Sequence, residues 1–454
     1  MRILTYVKAA VASLVLASAA AVCAQSRPTP LYDTTTPLDT NQPFAITTTV
    51  PTASDPRAQY VVVAKASAVF RCLTCGTEPI IEVVAWNDTT TSLVQTSSDA
   101  TASVSGGLAA VAITGLDSGR VVTAGVDTTG VLSIKTWTVG ASGVALQNSY
   151  STAAESVSPE VAIATLSSTE VVTAYALPNG TLAVEAWTIS AEGLPTPVST
   201  VGYQNGNATG NEVLPAEYGV FAAQVSIATV NPNQVVTAIG DSSESMWVTS
   251  WGINSGVQAQ QLQQIPNTVS TMAESVAVGA GQTSVFVPGI GIRPPHYETV
   301  QTAFTPFINS GSAELNVLYW TISASGQLTQ QPALTPTCCY YAGVAATTLP
   351  TDVPITSYDF APGGVQTDEY YHGYFANDPW ATALSPGQNN PPVVYGISFV
   401  LNGLVGSAAE GNSPSSELEP YSAYFVSASA DQYDEVLYIR VFSYPLPPTG
   451  LAFR

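Results

Sequence analysis

The sequence is short of charge, and of positive charge most of all. Only 9% of its 454 residues are charged, with 11 Lys and Arg against 32 Asp and Glu. Such a surface repels a phosphate backbone, which excludes nucleic-acid binding, and it repels anionic membranes on the same ground. Histidine is almost missing: His296 and His372 are the only two. No nucleotide-binding glycine loop, His-Glu-x-x-His zinc motif or Gly-x-Ser-x-Gly elbow occurs. No cofactor and no metal is therefore expected. No apolar run is long enough to span a bilayer as a helix. What the chain has instead is Ser, Thr, Ala, Val and Gly, and its 46% of hydrophobic residues suffices for a substantial core rather than disorder.

The first residues read as a signal peptide, 1–24. Arg2 and Lys8 form a basic start, Ala9 to Val22 an apolar stretch too short to span, and Val22-Cys23-Ala24 a small-residue cleavage site. Val22 before Cys23 is the wrong residue for a lipidation signal. Removing Arg2 and Lys8 leaves 9 basic residues against 32 acidic ones, 9 − 32 = −23. The mature chain is expected to be secreted, periplasmic or held at the cell surface, and monomeric. Four of the five cysteines remain: Cys72, Cys75, Cys338 and Cys339. In an exported chain an even count favours disulfides, and adjacent Cys338 and Cys339 suit a tetrahedral zinc ion poorly.

Internal repetition sets the fold class. Val-Val-Thr-Ala begins at Val121, Val171 and Val235, and a tryptophan follows each copy by 16 residues, at Trp137, Trp187 and Trp251. Another apolar run lies ten residues before each copy, at Val111, Val161 and Val225. Each unit reads as four short strands, a to d. In one unit they are Val161–Leu166, Glu170–Ala176, Thr181–Ile189 and Pro195–Val201, rich in β-branched residues and parted by turn signals. Repeated four-stranded units of ~40–50 residues predict a β-propeller. Weaker copies are read at Val61 with Trp86, at Val285 with Trp320, at Pro354 with Tyr395 in the Trp position, and at Phe425. The reading is thus all-β: a single propeller of four-stranded antiparallel blades, seven of them with six or eight as alternatives, over 44–454, preceded by an N-terminal extension, 25–43. A tryptophan recurring at one blade position predicts packing between blades.

The pattern Val-Val-Thr-Ala followed by Leu-x-Val-x-x-Trp-x-Ile-Ser, as at 171–190, resembles tandem repeats of exported bacterial propeller-like proteins with no assigned activity. The resemblance spans about 45–454 and is clearest over 104–260. It implies fold and export, and it transfers no catalytic residue.

Departures from the repeat mark where function would sit, because loops on a rigid scaffold carry it. The strand-b to strand-c interval of 16 residues becomes 25 (61 to 86), 35 (285 to 320) and 41 (354 to 395), and a d–a connection lengthens after Trp187. Insertions are expected at 68–79, 202–218, 289–312 and 360–391. In an antiparallel blade the b–c and d–a connections leave at one end, so all four, with both cysteine pairs, are expected on one face. The two longest bring candidate ligand-binding residues: His296, Tyr297 and Glu298 in one, and Asp368, Tyr370, Tyr371, His372 and Trp380 in the other. Flat aromatic rings beside carboxylates suit a glycan; the same rings equally suit packing of long loops on one another. Two function classes follow. The first is a non-catalytic propeller that captures a glycan or a partner protein through its decorated face. The second is a secreted polysaccharide lyase or hydrolase working with Arg293, His296, Tyr370 and His372. The scarcity of basic residues favours the first.

Overall fold

The chain is seen here as a computed structural model that describes 28 strands, from Thr29–Pro37 to Val436–Pro445, and the turns between many of them. Residue 90 and residues 1–28, 39–42, 51–59, 73–75, 104–106, 153–159, 178–181, 200–221, 242–245, 254–258, 268–272, 288–295, 310–313, 331–339, 349–353, 362–379, 384–404, 414–421, 432–435 and 446–454 lie outside the described residues. Among the described residues there is no helix, and every pairing of strands is antiparallel.

The strands form seven sheets among the described residues, five of them four-stranded. Sheet one is Phe44–Thr48, Tyr60–Cys72, Gly76–Asp88 and Leu93–Ser103; sheet two is Leu108–Asp117, Arg120–Asp127, Leu132–Gly140 and Gly143–Ser151. Sheet three is Val161–Ser167, Glu170–Ala176, Leu182–Ile189 and Pro195–Ser199; sheet four is Ala222–Asn231, Gln234–Asp241, Met246–Ile253 and Ala259–Asn267. The four strands of each follow in chain order, as the a-to-d reading expects.

Burial explains why the sequence is written this way. The second and third strands are covered on both faces: every residue of Val121–Asp127 and of Leu132–Trp137 is buried. Such strands need continuous Val, Ile, Thr and Ala rather than alternation. The fourth strand lies outermost, and Gly143–Ser151 alternates half-buried and exposed residues from Val144 on, which is why it is written in Ser, Gln, Asn and Ala. Tight turns join the strands. Ser190 closes one by accepting from Gly193 N at its carbonyl, 3.0 Å, and from Leu194 N at Oγ, 3.1 Å, with Gly193 at φ 80°.

The repeat tryptophans pack between sheets. Trp86, Trp137, Trp187, Trp251 and Trp320 are all among the largest fully buried side chains. Trp137 lies against Val62, Ile81 and Val83 of sheet one, Trp187 against Val122, Ala124 and Ile134 of sheet two, and Trp251 against Val172 and Val184 of sheet three. The threonine of Val-Val-Thr-Ala has its purpose here. Trp137, Trp187 and Trp251 each donate the indole N–H to Thr123, Thr173 or Thr237 Oγ1 at 2.9 Å, and Trp320 donates to Thr305 at 3.0 Å. The hydrogen bond removes the penalty of burying an indole N–H.

First strands pack in succession from 44–48 to 108–117, 161–167, 222–231, 273–287, 340–348 and 405–413, and the last touches 44–48 again. Hydrogen bonds stitch part of this circuit: Gly115 N donates to Thr47 Oγ1 at 3.1 Å, Thr165 Oγ1 to Gly115 O at 2.6 Å and Thr229 Oγ1 to Thr165 O at 2.8 Å. Backbones approach so closely that a Cβ on Gly115 would stand 2.2 Å from Thr48 O.

Three expectations are corrected by the strand pairing. First, the N-terminal segment is no mere extension: Thr29–Pro37 pairs with Val436–Pro445 and completes sheet seven beside Val405–Ser413 and Ser422–Asp431. It matches no fourth strand in sequence, because outer strands carry no buried signature. Asp33 accepts from Arg440 at 3.0 Å, Tyr32 donates to Asp88 of sheet one, and Lys65, paired with Glu82 at 3.4 Å, donates to Pro37 O. Trp86 of sheet one packs against Val426, Ile439 and Val441 of sheet seven.

Second, the strand b of unit five is His296–Asn309, not the run at Val285. Ala303 pairs with Trp320 as Val121 pairs with Trp137, so Ala303-Phe304-Thr305-Pro306 stands in place of Val-Val-Thr-Ala and keeps only the threonine. Val285 belongs to Gly279–Val287, which extends the first strand and pairs along His296–Phe304. Third, the third strand of sheet six is Trp380–Ala383 within the described residues, with Ile355 opposite Ala383. Tyr395, expected in the Trp position, lies outside the described residues.

Candidate binding face

The direction of each strand decides at which end its connections leave. In sheets two to four the a–b and c–d turns are short, as at 118–119, 141–142, 168–169, 190–194 and 232–233. The b–c and d–a connections leave at the opposite end.

Sheet one carries a long b–c hairpin. Val61 opposite Trp86 is the repeat pair, and the ladder runs on to Cys72 opposite Gly76. The expected insertion 68–79 is thus largely a two-stranded ribbon at the b–c end. Cys72 ends its second strand, while Cys75, Cys338 and Cys339 lie outside the described residues.

Sheet five carries the other ribbon, at the other end. Past the repeat pair at Ala303, Gly281–Val287 and His296–Thr302 run on as a hairpin whose outer five pairs, Thr283–Val300 to Val287–His296, have no third strand beside them among the described residues. The expected insertion 289–312 is therefore mostly this strand, and it extends the a–b connection. His296, Tyr297 and Glu298 sit near its tip, opposite Val287, Phe286 and Val285. Arg293 lies outside the described residues.

Sheet six places its long connection, 362–379, between Pro354–Ala361 and Trp380–Ala383, hence at the b–c end. Asp368, Tyr370, Tyr371 and His372 fall in it and lie outside the described residues. Trp380 opens the third strand opposite Tyr358, inside the range 360–391 expected as an insertion. Along the strands His296 stands seven residues from the repeat level at Ala303, and Trp380 stands four residues on the other side of it, opposite Tyr358 with Pro354 at that level. Eleven steps at ~3.3 Å separate them by about 35 Å. The expectation that all four insertions share one face thus fails at sheet five. The sequence misled because Val285-Phe286-Val287-Pro288 imitates a second strand at the correct ten-residue spacing.

Arg120 ties neighbouring sheets together. Arg120 donates to Asp117 Oδ2 at 2.6 Å and to the carbonyls of Ser190 and Ser168 at 3.3 and 3.1 Å, tying sheet two to two turns of sheet three. Burial lowers the pKa of Lys135, and the charge of Asp127 works against that shift. Among the described residues no group of three His, Cys, Asp or Glu gathers as a metal site, and no helix is long and apolar enough to cross a membrane.

No protein-family model matches the chain, and no curated protein matches it. Solved structures resemble it in outline. The SapL1 lectin in complex with alpha methyl fucoside shares 14% identity over 80% of this chain and 97% of that one, with a TM-score of 0.40. AofleA from Arthrobotrys oligospora shares 11% over 74% and 83%, at 0.43. A putative 6-phosphogluconolactonase from Bacteroides uniformis shares 14% over 83% and 94%, at 0.44. At such identities and TM-scores the likeness assigns neither ligand nor reaction to this chain.

Proposed function

We propose that the chain is an exported, seven-bladed β-propeller, closed by its N-terminal strand, that binds a glycan without catalysis through the face where b–c and d–a connections leave. The circuit of first strands and the pairing of Thr29–Pro37 with Val436–Pro445 support closure. One observation carries the functional part. The b–c and d–a end gathers the sheet-one ribbon, the long connection 200–221 and the connection 362–379, whereas the other end has short turns in sheets two to four. Of these, 362–379 holds Asp368, Tyr370, Tyr371 and His372, and Trp380 follows at its foot. Those five are the proposed contact residues. His296, Tyr297 and Glu298 belong to a separate projection at the opposite end, which weighs against a lyase or hydrolase built from both histidines.

The test is binding of the mature chain to a panel of immobilised oligosaccharides. Tyr370→Ala and Tyr371→Ala are expected to lose at least tenfold in affinity for whichever sugar the wild type captures, with thermal unfolding nearly unchanged. Equal loss with Tyr297→Ala, or a fall in stability of roughly 3–5 kcal/mol per ring, would assign these side chains to another role.

A further inference from the structure

Buried between two sheets, Glu185 has no positive group paired with it among the described residues. It lies on the third strand of sheet three, 4% exposed, on the face that carries Trp187. That face meets sheet two in an apolar layer in which Val122, Ala124 and Ile134 pack against Tyr175, Ala183 and Trp187. Tyr175 donates its hydroxyl to Glu185 Oε2 at 3.0 Å. Among the described residues the neighbouring titratable groups lie elsewhere. Tyr150 of sheet two meets Trp187 edge-on at 5.3 Å. Lys135 and Asp127 alternate onto the opposite face of sheet two, with Trp137, toward sheet one. Arg120 is held at the a–b end by Asp117 and two carbonyls, and Glu160 stands at the head of the first strand of sheet three.

We propose that the contact between sheets two and three is a pH-sensitive element of the fold, tight while Glu185 carries its proton and weakened when Glu185 ionises. Among the described residues a carboxylate there gains a single hydroxyl donor and no counter-charge, which does not offset the loss of water. Burial pushes the Glu185 carboxyl up from 4.5 to about 7, with the Tyr175 hydrogen bond opposing the shift. The unfolded chain ionises this group near 4.5. The extra stability of the protonated form is therefore complete below that value and is lost as pH rises through about 7. The interval corresponds to roughly 300-fold in the folding equilibrium constant. Glu160, pushed by burial to about 8, acts in the same direction.

The experiment compares urea unfolding of the mature chain at pH 5 and pH 9 for wild type, Glu185→Gln and Tyr175→Phe, with infrared detection of the protonated carboxyl. Between the two pH values the wild-type folding constant is expected to fall about 100-fold more than that of Glu185→Gln, which keeps an acceptor for Tyr175. Removing the opposing hydroxyl in Tyr175→Phe should move the carboxyl titration to higher pH. The part of the pH dependence that Glu160 contributes persists in both proteins; a fall in Glu185→Gln as large as that of the wild type overturns the proposal. If that variant fails to fold, the infrared titration decides: a midpoint near 7 that rises in Tyr175→Phe supports it, and ionisation of all carboxyls below 5 refutes it.

Discussion

Sheets two to four and sheet five obey the same packing rule, yet they use their connections differently. In sheets two to four the Trp–Thr hydrogen bond, the buried middle strands and short turns at the a–b end recur almost unchanged. Sheet five keeps the bond, Trp320 to Thr305, but draws its first two strands out into a ribbon past the edge of the third. The invariant part is what faces a neighbouring sheet. The variable part is what faces solvent, where length costs little. A projection can therefore be added at either end of a sheet while the layers between sheets stay the same.

The sharpest way to break this comparison is to remove the invariant part. Trp187→Ala should cost roughly 3–5 kcal/mol, measured by urea unfolding, because the ring fills the layer between sheets two and three. A loss below 1 kcal/mol would mean that the layer is not what holds the sheets. Gly115→Ala comes next, at about 1–3 kcal/mol, because its Cβ would meet Thr48 O at 2.2 Å. Gly140→Ala is the control: nothing lies within 4 Å of its Cβ, and a change within about 0.5 kcal/mol is expected. Thr123→Val keeps shape but leaves the Trp137 indole N–H without its acceptor, at about 1–3 kcal/mol by the same measurement.

How far the sequence could be read follows from the same division. Positions between sheets are constrained by packing, so the Val-Val-Thr-Ala and Trp spacing gave strands, their order and the role of the tryptophans correctly. The threonine went unexplained, because its partner is sixteen positions from the motif's start in sequence and visible only as a cross-strand pair. The outer strand Thr29–Pro37 left no trace, since an edge facing water accepts almost any polar residue. Sheet five deceived the spacing argument because Ala303-Phe304-Thr305-Pro306 had lost three of four motif residues while Val285 offered a better match. The candidate site inherited that error: its residue types were legible, but the end of the sheet from which His296 projects was not. Asp368, Tyr370, Tyr371 and His372 sit where the repeat offers no template, so nothing in the spacing positions them.

The separation of the two ends is the central claim, and a distance measures it directly. Spin labels placed at His296 and Trp380 of the mature chain should report about 35 Å by pulsed electron resonance, from eleven steps of ~3.3 Å along the strands. A distance below about 20 Å would bring the sheet-five ribbon and the sheet-six connection onto one face and contradict the account.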